Sequence, residues 1–269
     1  MTAAVSVAVV LGLTLGCGGG RTGHEGDGKS ASGSAGGRAP EEAAGAAGAV
    51  GPKKADEDGP TGRLRRAELE KTEVPGLVIE EAPPGTAGRG TPGSDQPACL
   101  PLANALGSEP DPKPLGSVVS TFAGAGEDDD LEGLLGTIRV SEYRPGEAAA
   151  VFRRLRDAAG ACTGGFRMRT GEGESQVFDA VETVAAPKLG DEAAAFRLSN
   201  AVEEAPSLIT VVRTGDVLSM FFATGLGDPE RVQIPDRLVS AQVRKAVAVQ
   251  RGGTGEDGDD AEGAGTEEG

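Results

Sequence analysis

Three thiols, Cys17, Cys99 and Cys162, and one imidazole, His24, are the most reactive side chains in this 269-residue chain. Their placement excludes more than it allows. His24 lies in a glycine-rich stretch, and no histidine follows it, so the body of the chain lacks the usual general base and the commonest zinc ligand. Serine and cysteine triads in their familiar forms are excluded on the same ground. Carboxylates are plentiful, and Glu142, Glu172, Glu174 and Asp179 offer pairs of the kind glycoside hydrolysis uses. With 42 acidic residues in the chain, however, some pair always looks suitable. The run Glu127, Asp128, Asp129 and Asp130 supplies oxygen ligands for Ca²⁺ but not the spaced DxDxDG pattern of an EF-hand, and reads as a solvated loop. "GAGEDD" from Gly124 lacks the lysine and following helix of a phosphate-binding loop. No catalytic residue, metal or cofactor is expected.

Cys17 follows an uncharged stretch, AAVSVAVVLGLTLG over residues 3–16, of the length of a secretory apolar region and too short to span a bilayer comfortably. Leu13, Thr14, Leu15, Gly16 and Cys17 resemble the bacterial lipobox, although no basic residue precedes Arg21. That resemblance implies a signal peptide over 1–16, cleavage before Cys17, and a diacylglyceryl group on the Cys17 thiol. Two acyl chains give lasting membrane attachment where one would not. The protein is therefore expected on the extracytoplasmic face of the membrane. In that compartment the remaining pair, Cys99 and Cys162, reads as a disulfide. Metal binding is the competing use of two thiols, but the chain has no CxxC pair.

Composition divides the rest. Residues 17–63 are rich in glycine and charge, with Val50 the one apolar side chain larger than alanine from 18 to 62, and read as a disordered tether. Residues 251–269 read as a disordered acidic tail. Residues 64–250 hold the periodic apolar pattern and form the domain. The net charge of −16 argues against nucleic acid or an anionic membrane surface as the partner. With no tryptophan and a single tyrosine, Tyr143, a stacking platform for bases is also poorly supplied.

Within the domain, helix formers at 64–72 end at Pro75 and Gly76. Strands are predicted at 77–82, 117–123 and 134–144, with an exposed loop at 83–97 and a short helix from Cys99 to Leu106. Pro145 suits the first position of a helix running to 160, on which Ala148, Val151, Phe152, Leu155, Ala159 and Cys162 form one apolar stripe. Arg153, Arg154 and Arg156 lie off that stripe, on a face that is solvated or grips an anionic partner. Further strands are predicted at 174–185, 193–200 and 207–224, the last a hairpin turning at Gly215. A final helix runs from Asp236 to about Val249. Tyr143, Phe221 and Phe222 line either the core or a cleft. The expected class is α+β, an antiparallel sheet with helices packed mainly on one face.

The segments "EVPGL", "ACLPL", "YRPGEAAAVFRRLRDAAGAC" and "ITVVRTGDVLSMFF", in this order, resemble the PknH-like extracellular sensor-domain family. The resemblance covers most of residues 64–249 and implies extracytoplasmic sensing or ligand binding in a cleft beside the sheet, without catalysis. Members of that family carry up to two disulfides, and Cys99 with Cys162 allows one. The expected protein is a lipid-anchored ligand-binding or sensor-type domain of the cell envelope whose partner is a small ligand or an envelope protein. The alternative is a structural or protein-interaction lipoprotein of the envelope.

Overall fold

In a computed structural model, the structure describes residues 59–83, 86, 90–106, 110–125, 131–200, 205–225 and 232–253. Cys17, residues 18–58 of the tether, the run 127–130 and residues 254–269 of the acidic tail lie outside the described residues, whereas 59–63 and 251–253, expected in the tether and tail, are described at the start of the first helix and the end of the last. The elements in chain order are α1 (Pro60–Arg65), β1 (Leu77–Glu81), β2 (Gly93–Ser94), a 3₁₀ turn (Pro97–Cys99), α2 (Leu100–Leu106), β3 (Gly116–Gly124) and β4 (Leu134–Glu142). They continue with α3 (Glu147–Ala161), β5 (Phe166–Arg169), β6 (Ser175–Phe178), β7 (Ala180–Val184), β8 (Glu192–Ser199), β9 (Ser207–Thr214), β10 (Val217–Gly225) and α4 (Asp236–Gly253).

Seven strands form one antiparallel sheet in the order β1-β3-β4-β10-β9-β8-β7, and β2, β5 and β6 form a second, three-stranded sheet. The α+β class and the antiparallel sheet are those expected. The helices, however, divide between the two faces. On β10, Val217, Phe221 and Ala223 join a core with α4 residues such as Leu238 and Val243 and with Leu64 of α1. Leu218 points the other way, into a core with Phe152 and Leu155 of α3 and Leu102 of α2. Strand periodicity of two makes this unavoidable, because β10 is apolar at both odd and even positions. Two apolar faces need two covers.

α4 is fastened to its side by polar contacts as well as packing. The buried Gln242 donates from Nε2 to the Ala67 carbonyl at 2.6 Å, and Lys245 Nζ donates to the Glu68 carbonyl at 2.8 Å while pairing with Glu73 at 2.7 Å. The opening helix ends earlier than its sequence suggests. Pro60 starts it, and beyond Arg65 the chain tightens into i→i+3 turns, with Ala67 N donating to Leu64 O and Glu68 N to Arg65 O. α3 begins at Glu147 rather than Pro145, because Gly146 precedes it with φ +80° and donates its N–H to Asp216 Oδ1. The span 174–185 is two strands in two sheets. Phe178 pairs with Phe166, whereas Ala180 pairs with Ser199, and Asp179 N donates to Ser199 O at the crossing.

Cys99 and Cys162 are joined, with Cα atoms 5.9 Å apart and both side chains buried. The α3 stripe carries Cys162 inward, and the 3₁₀ turn delivers Cys99 to it, so the bridge ties α2 to the end of α3. Closing a loop with a sequence separation of 63 residues stabilises the fold by about 4 kcal/mol in the chain-entropy account. Replacing both cysteines by alanine is expected to lower the urea-unfolding free energy by that order, with an unchanged midpoint sinking the assignment. Gly136 on β4 offers a second check. A Cβ there would meet the Phe222 carbonyl and the Phe122 ring, so Gly136→Ala is expected to cost about 1–3 kcal/mol in the same measurement.

Candidate functional site

The cover over the α3 side of the sheet is incomplete. Between α2, α3 and the small sheet lies a cleft whose floor is made of cross-strand pairs from β4 and β10: Ser141 with Leu218, Arg139 with Met220, and Thr137 with Phe222. These strands are central in the sheet, so the floor is held by hydrogen bonds on both edges. The cleft has two lobes that share Ala105, Arg139 and Met220 as lining.

The first lobe, about 200 Å³, lies under α2 and α3 and is mostly apolar, with Leu100, Pro101, Val151 and Leu155 as walls. Six polar or charged side chains interrupt it: Asn104, Asp111, Arg139, Ser141, Tyr143 and Arg154. Asn104 is only 8% exposed, and its Oδ1 has no hydrogen-bond partner among the described residues. A buried amide oxygen left unpaired carries a real desolvation cost, so it marks a place where a donor belongs. The second lobe, about 280 Å³, is lined by polar side chains including Thr170, Glu172, Gln176, Asn200 and Ser207, with Phe178 and Phe222 at its base.

Arg139 stands at the junction. Burial lowers its pKa from the ordinary arginine value, a shift that the neighbouring Tyr143 partly opposes. The guanidinium remains a cation at any physiological pH, and here it is half-buried where the two lobes meet. Tyr143 is buried, and that burial pushes its phenol up from the usual value. Arg139, a hydrogen bond with Ser141 and Arg154 act in the opposite direction. Ser141 in turn shares a 2.9 Å hydrogen bond with Ser117, one strand away on the same face. The polar row therefore rests on strand backbone and not on loops.

The residues singled out in the sequence scatter. Glu142 faces away from the cleft and pairs with Arg63 at 2.8 Å. Glu172 lines the polar lobe, while Glu174 and Asp179 are exposed on or beside the small sheet. Of these four carboxylates, Glu172 lines the polar lobe and none lines the apolar one. Among the described residues, no group of three histidine, cysteine, aspartate or glutamate side chains stands close enough to hold a metal. Arg154 lines the apolar lobe, whereas Arg156 turns to Asp157 on the exposed surface of α3. Tyr143 and Phe222 line the cleft, and Phe221 belongs to the opposite core. Asn104 and Arg139 carry no motif that sequence reading could detect. For Arg139 the one available signal is its place at an alternating position of β4, on the row that also carries Tyr143.

Because Tyr143 is the single tyrosine, an ultraviolet titration reads it alone. Its ionisation is expected above that of a free phenol, and Arg139→Gln is expected to push it higher by removing the neighbouring cation. A folded-state value raised above the unfolded one favours folding fully below pH about 10, and that contribution is lost as pH rises through the folded value. Ionisation at the ordinary phenol pH in the folded protein would contradict the burial.

No family model matches the chain, and no curated protein is similar to it. Among solved structures, the chain is similar to the extracellular domain of PknH from Mycobacterium tuberculosis, at 12% identity and a TM-score of 0.40 over 65% of this chain and 82% of that one. It is also similar to an uncharacterized protein from Mycobacterium smegmatis, at 13% identity and a TM-score of 0.33 over 70% of this chain and 95% of that one.

Proposed function

We propose that this protein is a non-catalytic ligand-binding domain of sensor type, held on the extracytoplasmic face of the membrane by lipid on Cys17. The observation that carries the binding reading is the cleft on β4 and β10, with apolar walls and a buried, unpartnered Asn104 oxygen inside it. A concave apolar site with a few convergent polar groups is the usual form of a small-molecule site. The dispersal of the carboxylates Glu142, Glu172, Glu174 and Asp179 supports binding over turnover, since general acid–base work needs its groups around one reacting atom. The extracytoplasmic placement rests on the apolar leader ending in Cys17 and agrees with the Cys99–Cys162 bridge, which persists in oxidising compartments.

Two measurements test these two parts. N-phenyl-1-naphthylamine, a neutral dye that brightens in apolar surroundings, is expected to bind the full chain saturably at one site. Ala105→Trp, which places a large ring where the two lobes meet, is expected to abolish that signal while the thermal transition remains cooperative. Dye binding that Ala105→Trp leaves untouched would remove the cleft as the site. Intact mass of protein extracted from membranes is expected to show a chain starting at acylated Cys17, lighter by two hydrogens for the bridge. A mature chain that retains Met1 and carries no acyl group would refute the anchor.

A further inference from the structure

Resting on the ligand-binding reading, we infer that the cleft takes an anionic amphiphile: an alkyl chain in the apolar lobe and a head carrying a negative charge and a hydroxyl, seated between Arg139 and Asn104. Three features of the cleft converge on this chemistry. The apolar lobe is walled mainly by aliphatic and proline side chains, with Asp111 and Arg154 as its charged lining besides Arg139, so its apolar walls favour a hydrocarbon chain over a polar one.

Arg139 is the charged group common to both lobes, and it faces the sheet-side floor, where a head at the junction must pass. Arg139 also interacts elsewhere in the chain. A guanidinium has five N–H donors in a fixed fork, and an anionic head at the junction shares that fork with the internal interaction. A carboxylate or phosphate accepts from such a fork in charge-assisted bonds, roughly twice as strong as neutral ones. Glu172 also lines the polar lobe, where its carboxylate disfavours a head with more than one negative charge.

Asn104 supplies the third requirement. Its oxygen is an acceptor, and a simple carboxylate offers it nothing. A hydroxyl near the charged end satisfies it while the anionic oxygens remain on Arg139. Tyr143 and Ser141 lie along the same lobe as neutral partners able to donate or accept, and the raised phenol pKa keeps the tyrosine proton in place at neutral pH. Hydroxy acids and phosphate monoesters with an alkyl chain share this chemistry. A free anion without the chain leaves the apolar lobe unfilled and is expected to bind poorly.

The test uses the mature chain from residue 17 onward carrying Cys17→Ser, produced without the apolar leader and so neither acylated nor in need of detergent, with the Cys99–Cys162 bridge verified by mass. Titration calorimetry compares 3-hydroxydecanoate, decanoate, 1-decanol, 3-hydroxybutyrate, decyl phosphate and inorganic phosphate, all below their micellar concentrations. Decanoate is expected to bind about tenfold or more tightly than 1-decanol, and 3-hydroxydecanoate about fivefold more tightly again. The two free anions, 3-hydroxybutyrate and phosphate, are expected to give no saturable heat, and decyl phosphate, at about pH 5 where it carries one negative charge and a P–OH, to behave as the hydroxy acid does. Arg139→Gln is expected to bring the decanoate-to-decanol ratio close to one, with Arg139→Lys retaining part of it. Asn104→Ala is expected to erase the advantage of the hydroxyl. Equal affinity of decanoate and decanol in the unmodified cleft overturns the inference and leaves the binding reading standing. No binding of any chain-bearing ligand overturns both. Tight phosphate binding without a chain overturns the amphiphile and points to a simple anion site.

Discussion

A central strand that is apolar on both faces obliges the rest of the chain to cover the sheet twice. β10 sets this constraint, sending Val217, Phe221 and Ala223 to one side and Leu218, Met220 and Phe222 to the other. On the first side a single long helix, α4, with α1 and the turns after it, covers the sheet and is bolted down by Gln242 and Lys245. On the second side the cover is assembled from shorter pieces: the seven-residue α2, the fifteen-residue α3 and a three-stranded sheet. Those pieces meet the strands at different places and leave a gap over β4 and β10. The cleft is the consequence of covering one face with a patchwork.

The Cys99–Cys162 bridge belongs to the same logic. A helix as short as α2 has little stability of its own, because nucleation costs as much as its few hydrogen bonds return. Leu102 and Ala103 bury against α3, but the covalent link is what places the helix start beside the end of α3. Asn104, Ala105 and Leu106 on the next turn then reach the two lobes. The wall of the site is therefore set by a bond outside the site.

How much of this was legible depended on element length and on whether one period dominated. α3 shows a clean stripe of Ala148, Phe152, Leu155 and Ala159 ending at Cys162, and its sequence and structure agree along almost all of its length. The β9–β10 hairpin was equally clear, because a two-residue turn with Gly215 at φ +55° sits between long β-prone runs. The small sheet was not read. Its strands have two and four residues, and although Phe166 and Met168 alternate with Arg167 and Arg169, four residues carry too little pattern to separate a strand from a loop. The break at Asp179 was missed for a different reason. Nothing local distinguishes a strand that continues from one that changes sheets, since the pairing partners, Phe166 and Ser199, lie far off in the chain. For the same reason the division of helices between two faces was invisible: each helix has one apolar stripe, but no stripe says which face it meets.

The site itself was legible through Tyr143 and Phe222, expected in the core or a cleft, and through Arg154, but not through Arg139, Ser141 or Asn104. Its floor comes from residues that alternate along ordinary strands, and Arg139, Ser141 and Tyr143 look from sequence like the solvent side of a half-buried strand. What makes them a site is that the face they share is covered, so that polar side chains in a water-exposed pattern end up enclosed. This arrangement also limits how the protein can respond to an occupant. The floor cannot shift without breaking pairings on both edges of β4 and β10, each of which is flanked by another strand. The wall from α2 is fixed at its Cys99 end by the bridge, and Leu102 and Ala103 pack it against α3. An occupant engaging Asn104 and Ala105 would meet α2 beyond its bridged end, while the floor strands stay paired on both edges.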